Sequence, residues 1–201
     1  DIPRLCFIYI YKIKNAEWRF DLTVEAQSID KMLYKLVIVD SPNIIQGLIS
    51  LQDRGDHIFM PLIESNKFNR GDKKIYLGVP GNLVAFACKV SFDKGYGGYV
   101  SFESKSKLKE HYKKTLGAHF LFGNFMAIDS KAAIKLIDQY FPKKMYLYKM
   151  VKEPKNIDFY TTGRQPSEQD FIRISEWIKK DKQRRSIRKI SKLPARQKHL
   201  A

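Results

Sequence analysis

Apolar and polar positions change their period along this chain, and the change divides it into regions. Residues 5–12 form a short apolar and aromatic run of high β propensity, and residues 18–22 alternate Trp18, Phe20 and Leu22 with polar neighbours, so both predict strands. Ser28 to Lys31 predicts a turn, residues 32–39 a strand closed by Asp40, Ser41, Pro42 and Asn43, and residues 44–52 a further strand with Gly47 inside it. The turn Asp53-Arg54-Gly55-Asp56 then completes an antiparallel meander. Residues 57–66 are mostly apolar, the pattern of a central strand covered on both faces. Pro61 interrupts that strand. Proline cannot donate to a ladder, so it predicts a bulge or a place where the neighbouring strand pulls away and leaves backbone groups open to a ligand.

Beyond the polar loop 67–74 the period turns helical. Residues 83–92 are apolar on almost every side, predicting a buried helix with Asn82 as its N-cap and Gly95 as its stop. The segment Leu77-Gly78-Val79-Pro80-Gly81-Asn82 therefore carries the chain from a strand into a helix through glycines, where free N–H groups and the helix dipole can hold an anion. Residues 99–103 alternate as a strand. Leu108, Tyr112 and Leu116 share a face of a helix over 106–116 that Gly117 ends. A further strand is expected within 119–129, an amphipathic helix over 130–141 with Ala133, Ile134, Ile137 and Tyr140, and a last strand over 143–151. The fold class is α/β: a mixed sheet whose antiparallel first half is followed by β-α-β-α units. The polar stretch 152–166, with Pro154, Gly163 and Pro166, separates a domain over 1–151 from a segment over 152–201. In that segment Ser167 and Asp170 open a basic helix through Phe171, Ile174 and Ile178. No internal repeat is found.

Composition narrows the picture. At 201 residues the chain can bury one proper core. No run approaches the roughly 18 apolar residues of a membrane span, and the start has no signal-peptide pattern, so a soluble, cytoplasmic protein without a membrane partner is expected. Cys6 and Cys88 are too few for a disulfide framework, and Cys88 is expected in the core. His57, His111, His119 and His199 stand in no zinc-ligand spacing, so no metal is expected, and His111 and His119 are expected to be structural or at the surface. The formal charge is +16, and the stretch 173–201 holds eleven Lys/Arg against Glu176 and Asp181, which places +9 there and +7 elsewhere. Such a segment favours RNA, tRNA included, through counterion release; the other reading is a solvated helix face or a disordered end.

From Trp18 to Phe141 the order of elements resembles the GNAT superfamily of acyl-CoA-dependent N-acetyltransferases. The matching pieces are the central strand over 58–65, the glycine turn Gly78 to Asn82, the helix after it, the strand 99–103 and Tyr112-Lys113-Lys114-Thr115-Leu116-Gly117-Ala118, similar to the family's Tyr-x-x-x-Gly-Phe signature. The family loop is Arg/Gln-x-x-Gly-x-Gly/Ala; here Lys74 replaces Arg/Gln, and an extra residue separates Gly78 from Gly81. The resemblance implies acetyl-CoA as co-substrate, with backbone N–H groups of Gly78, Val79, Gly81, Asn82 and Leu83 on its pyrophosphate and Lys74, Lys73 or Arg70 outside. It implies that the backbone of Leu62 and Ile63 donates to the thioester carbonyl, that Tyr112 protonates the leaving thiolate, and that Glu64 accepts the proton of the amine. The expected activity is acetyl transfer to a primary amine by direct attack in a ternary complex, with the acceptor open. The alternative is a catalytically degenerate fold that binds RNA or a protein through its basic tail.

Overall fold

A computed structural model describes residues 5–10, 18–20, 22–141 and 161–191. Seven strands, β1 (Leu5–Ile10), β2 (Lys31–Ile38), β3 (Ser41–Asp53), β4 (Ile58–Ser65), β5 (Val100–Glu103), β6 (His119–Phe122) and β7 (Phe125–Ile128), form one sheet in the order β1-β2-β3-β4-β5-β7-β6. The helices are α1 (Leu22–Gln27), α2 (Val79–Asp93), α3 (Lys109–Leu116), α4 (Ser130–Tyr140) and α5 (Glu168–Ser191). The mixed α/β architecture is the one the sequence predicts, with an antiparallel β1-β2-β3-β4 half followed by β4-α2-β5-α3. Parallel pairing among these strands is confined to β4 and β5. The chain divides into two compact units, Asp1–Gln165 and Pro166–Ala201.

Alternation along the strands builds two different faces. On the first, Ile49, Ile58, Ile63, Val100 and Phe102 pack with Leu83, Val84 and Cys88 of α2, with Tyr112 and Leu116 of α3, and with Ala133 and Leu136 of α4. Burial pushes the Cys88 thiol well above its ordinary range, in keeping with a core role. On the second, Leu33, Leu48 and Leu62 meet Trp18, Phe20 and Ala26. All eight residues of β4 are buried, the apolar run Ile58 to Ile63 and the polar Glu64 and Ser65 alike.

Four local expectations are corrected. Residues 18–20 are not a strand: the Arg19 and Phe20 N–H groups donate to the Glu64 carboxylate, at 2.8 and 3.4 Å, and Leu22 already begins a helix. β3 begins at Ser41, so Ser41, Pro42 and Asn43 belong to a strand. Residues 119–129 hold two strands, joined at Gly123-Asn124, a two-residue hairpin signal that Gly123 meets with φ of 52°. The long helix begins at Val79 with Gly78 as N-cap at φ 79°, and Asn82 lies inside it, its side-chain amide donating to the Gly78 carbonyl at 2.8 Å. Pro80 explains the early start, because its missing N–H would have no partner in the first turn anyway. The strand expected over 143–151 lies outside the described residues.

Gly81 is needed for packing between α2 and α4: a Cβ there would overlap the Tyr140 hydroxyl. In the second unit, Ser167 and Asp170 cap α5 reciprocally, the Ser167 N–H donating to Asp170 Oδ2 at 3.1 Å and the Asp170 N–H to Ser167 Oγ at 3.2 Å. Gly81→Ala is expected to push the Tyr140 ring off α2 and to lower stability by about 1–2 kcal/mol, as overpacking at a yielding site does. Urea denaturation and exposure of the Tyr140 ring to solvent check both parts.

Candidate active site

β4 and β5 pair in parallel at Ile58 with Val100 and Phe59 with Ser101, and at no further residues. The separation begins where β4 bulges. Ser50 of β3 faces Leu62 and Gln52 faces Phe59, so Met60 and Pro61 together oppose Leu51. The extra residue bends β4, and Pro61 brings no N–H with which to continue a ladder. The two strands therefore diverge toward their C-terminal ends, which is where open α/β sheets place ligands. Of Leu62 and Ile63, both expected to donate to a carbonyl, only Ile63 presents its N–H to this wedge: the Asn66 N–H bonds to the Gln46 carbonyl, and alternation along the ladder then turns the Glu64 and Leu62 N–H groups toward β3.

On the first face the wedge meets the start of α2. The Asn82 N–H already bonds to the Gly78 carbonyl at 2.9 Å, and Leu83 is fully buried in the core. Because Pro80 has no N–H, the donors of this turn reduce to Gly78, Val79 and Gly81. Ser65, 4% exposed, buries a hydroxyl with no partner among the described residues. It faces Gly47 across the β3-β4 ladder, and Gly47 packs on Val79 and Leu83, so that hydroxyl lies on the α2 side. Tyr112 is buried in the same face, edge-on to Phe102 of β5 with 5.4 Å between ring centroids. Lys74 faces α3: burial first, and then its ammonium, holds His111 below the usual imidazole range. Arg70, expected to add charge outside the turn, is instead committed to Glu64 and to the Ser65 carbonyl, the latter at 2.6 Å.

The second face carries, besides Glu25 of α1, two buried carboxylates on the strands that flank the wedge. Glu64 Oε1 accepts from Arg70 and from the Arg19 N–H, while Oε2 receives the Phe20 N–H at 3.4 Å. Glu103, beyond Phe102 on β5, accepts from the Thr162 hydroxyl and from Arg164 Nε, both at 2.9 Å. The backbone at Thr161 bridges to Ser104, and the Thr161 hydroxyl donates to the Pro61 carbonyl at 2.5 Å, so residues 161–164 span the mouth of the wedge. Sequence reasoning misses Glu103, Thr161 and Arg164. Glu103 has a trace in the sequence, a charged residue in a strand whose other residues are all suited to burial, but Thr161 and Arg164 have none. His119 lies apart from these groups in its bonding, with Nε2 2.8 Å from Asp129 Oδ2, and Asp129 also caps α4.

Among the described residues no group of three or more His, Cys, Asp or Glu side chains could hold a metal ion, and no helix is long and apolar enough to cross a membrane. No family model and no curated protein matches the chain. Among solved structures it is similar to the KacTA–DNA complex, with TM-score 0.47 and 18% identity over 67% of this chain and 98% of that one. It is also similar to a mutant AtaT toxin bound to the C-terminus of the antitoxin AtaR and acetyl-CoA, with TM-score 0.46 and 17% identity over 67% and 99%. For nourseothricin acetyltransferase the values are 0.35 and 18% over 50% and 65%. With each of these TM-scores below 0.5, function has to be argued from the chain's own geometry.

Burial of His111 couples stability to pH. The folded protein favours neutral imidazole, whereas the unfolded chain takes up a proton near the ordinary value of 6.5. Stability is therefore unaffected well above that value and falls as pH drops from it toward the lower folded value. The loss of unfolding free energy between pH 7.5 and 5.5 is expected to be larger in the wild type than in His111→Asn, as measured by denaturant titration at both pH values.

Proposed function

We propose that this chain is a divergent GNAT-type acetyltransferase that moves an acetyl group from acetyl-CoA to a primary amine by direct attack in a ternary complex. The observation that carries this reading is the wedge between β4 and β5, with open β4 backbone at Ile63, the start of α2 on one face and buried carboxylates on the other. The buried Ser65 hydroxyl on the α2 side supports a polar ligand there, since such groups are rarely left without a partner. When bound, acetyl-CoA supplies an acyl group already activated as a thioester.

The chain's own residues meet the remaining demands. Gly78, Val79 and Gly81 offer N–H groups at the positive end of α2 to the pyrophosphate, with Lys74 adding charge. The backbone N–H of Ile63, turned away from β3, fixes the acyl carbonyl. Tyr112, on the α2 side, holds the proton for the departing sulfur, and Glu64 Oε2, the less engaged oxygen of that carboxylate, accepts the proton of the amine. Calorimetry should show acetyl-CoA binding by the purified protein at high micromolar concentration; no binding there rejects the reading. Tyr112→Phe should lower kcat by roughly 100-fold, the usual reach of a general acid, while leaving the acetyl-CoA dissociation constant nearly unchanged.

A second reading, RNA binding through the C-terminal unit, is favoured by the exposure of Arg173, Lys179, Lys180 and Arg184 along α5. Arg185 is instead paired with Asp181 one turn earlier. A tRNA should bind with an affinity that falls steeply with salt, and alanine at Lys179, Lys180 and Arg184 should flatten the slope by about 0.7 for each phosphate that is no longer neutralised. Salt-independent binding would rule the reading out.

A further inference from the structure

Resting on the acetyltransferase reading, we propose that Glu103 and Phe125 form the subsite for the positively charged amine of the acceptor, and that the chain's own Arg164 occupies it as an exchangeable stand-in. The acceptor class is then a cationic primary amine rather than a neutral one.

Four observations converge on this site. Glu103 and Phe125 are cross-strand neighbours on β5 and β7, so a carboxylate and an aromatic face lie side by side on the second face of the sheet, next to the wedge. That pairing is the chemistry that recognises an ammonium or guanidinium: charge from the carboxylate, and attraction to the ring's electron-rich face. Arg164 already uses both groups, with Nε 2.9 Å from Glu103 Oε2 and its guanidinium carbon 5.8 Å from the Phe125 ring centre. The two partners differ sharply in burial, the Glu103 side chain being 6% exposed and that of Arg164 60% exposed. Such a cation is held from the solvent side and can leave into water, whereas the carboxylate cannot. Finally Ser101, on the same face as Glu103 and the last β5 residue paired with β4, buries a hydroxyl that has no partner among the described residues.

Glu64 shows the contrast. Its cation, Arg70, is only 11% exposed and bound on Oε1, so this arginine does not exchange with solvent, and Oε2 keeps its single 3.4 Å contact. A buried carboxylate that loses its cation is strongly destabilised, so removing Arg164 leaves Glu103 in need of a replacement charge. An amine arriving from solvent supplies it. Thr161, bonded to the Pro61 carbonyl, keeps the neighbouring backbone at the wedge while Arg164 exchanges.

The test uses the full chain and no acetyl-CoA, so it is independent of cofactor binding. n-Butylammonium chloride is titrated into wild type, R164A and R164A/E103Q, with n-butanol as the neutral control, following the backbone amides of Glu103 and Phe125 by ¹H–¹⁵N NMR. R164A should bind butylammonium about tenfold more tightly than wild type, because an occupant that holds the site most of the time weakens apparent affinity in proportion. R164A/E103Q should lose the response, and butanol should give none. Equal titration of R164A and the double variant, equal response to butanol, or no response in any protein would overturn the proposal. If the double variant does not fold, the R164A-to-wild-type ratio and the butanol control decide. Acetyl-CoA titrated separately into R164A reports on the acetyltransferase reading alone.

Discussion

The missing N–H of one proline sets the geometry of this molecule. A central strand buried over its whole length has to satisfy its backbone on both edges, and at position 61 one donor does not exist. The sheet answers by placing two residues of β4 against one of β3, which bends β4 and ends its pairing with β5 after a single pair beyond Ile58. The backbone groups this releases have to be met by something other than a strand. Part of the demand falls on Thr161, whose hydroxyl takes the Pro61 carbonyl, and part is left facing the wedge.

Charge then anchors what apolar contact alone would hold weakly. The stretch 161–165 is irregular and short of apolar surface, and the stretch 18–20 is irregular although Trp18 and Phe20 pack on the leucines of the second face. Each is tied there by a buried carboxylate: Glu64 collects the Arg19 and Phe20 N–H groups, and Glu103 collects Thr162 and Arg164. Burying an acid is costly unless it is paired and hydrogen-bonded, so these contacts fix position more than they add net stability. The same logic on the first face uses helix dipole and hydroxyl in place of ions, which suits a polar ligand approaching from that side.

What could be read from the sequence follows the range of the forces involved. Strand and helix order, the break at Pro61 and the stop at Gly117 depend on neighbours within a few residues, and local pattern carries them. Residues 18–22 alternate as a strand does, but a carboxylate forty-four and forty-five residues away takes their N–H groups, and alternation says nothing of that. Asn82 has the chemistry of an N-cap, yet Pro80 moves the helix start back, so Gly78 takes the position. The glycine turn is legible as a turn, but the reason for Gly81 lies on α4, in the ring of Tyr140. Glu103, Thr161 and Arg164 belong together only once the chain has folded back on itself.

That return also sets an order of assembly. Pro61 and Thr161 are separated by 100 positions, while β4, α2 and β5 all lie between the start of the wedge and its closing residue. On a ribosome, which releases the chain from its N-terminus, the floor of the wedge and the helix over it are complete before the residue that spans its mouth has been made. Glu103 is therefore synthesised well before its arginine, and long-range closure of this kind is slow relative to local structure. The contacts that complete the second face thus span 61 and 100 positions and carry a large loop-closure cost.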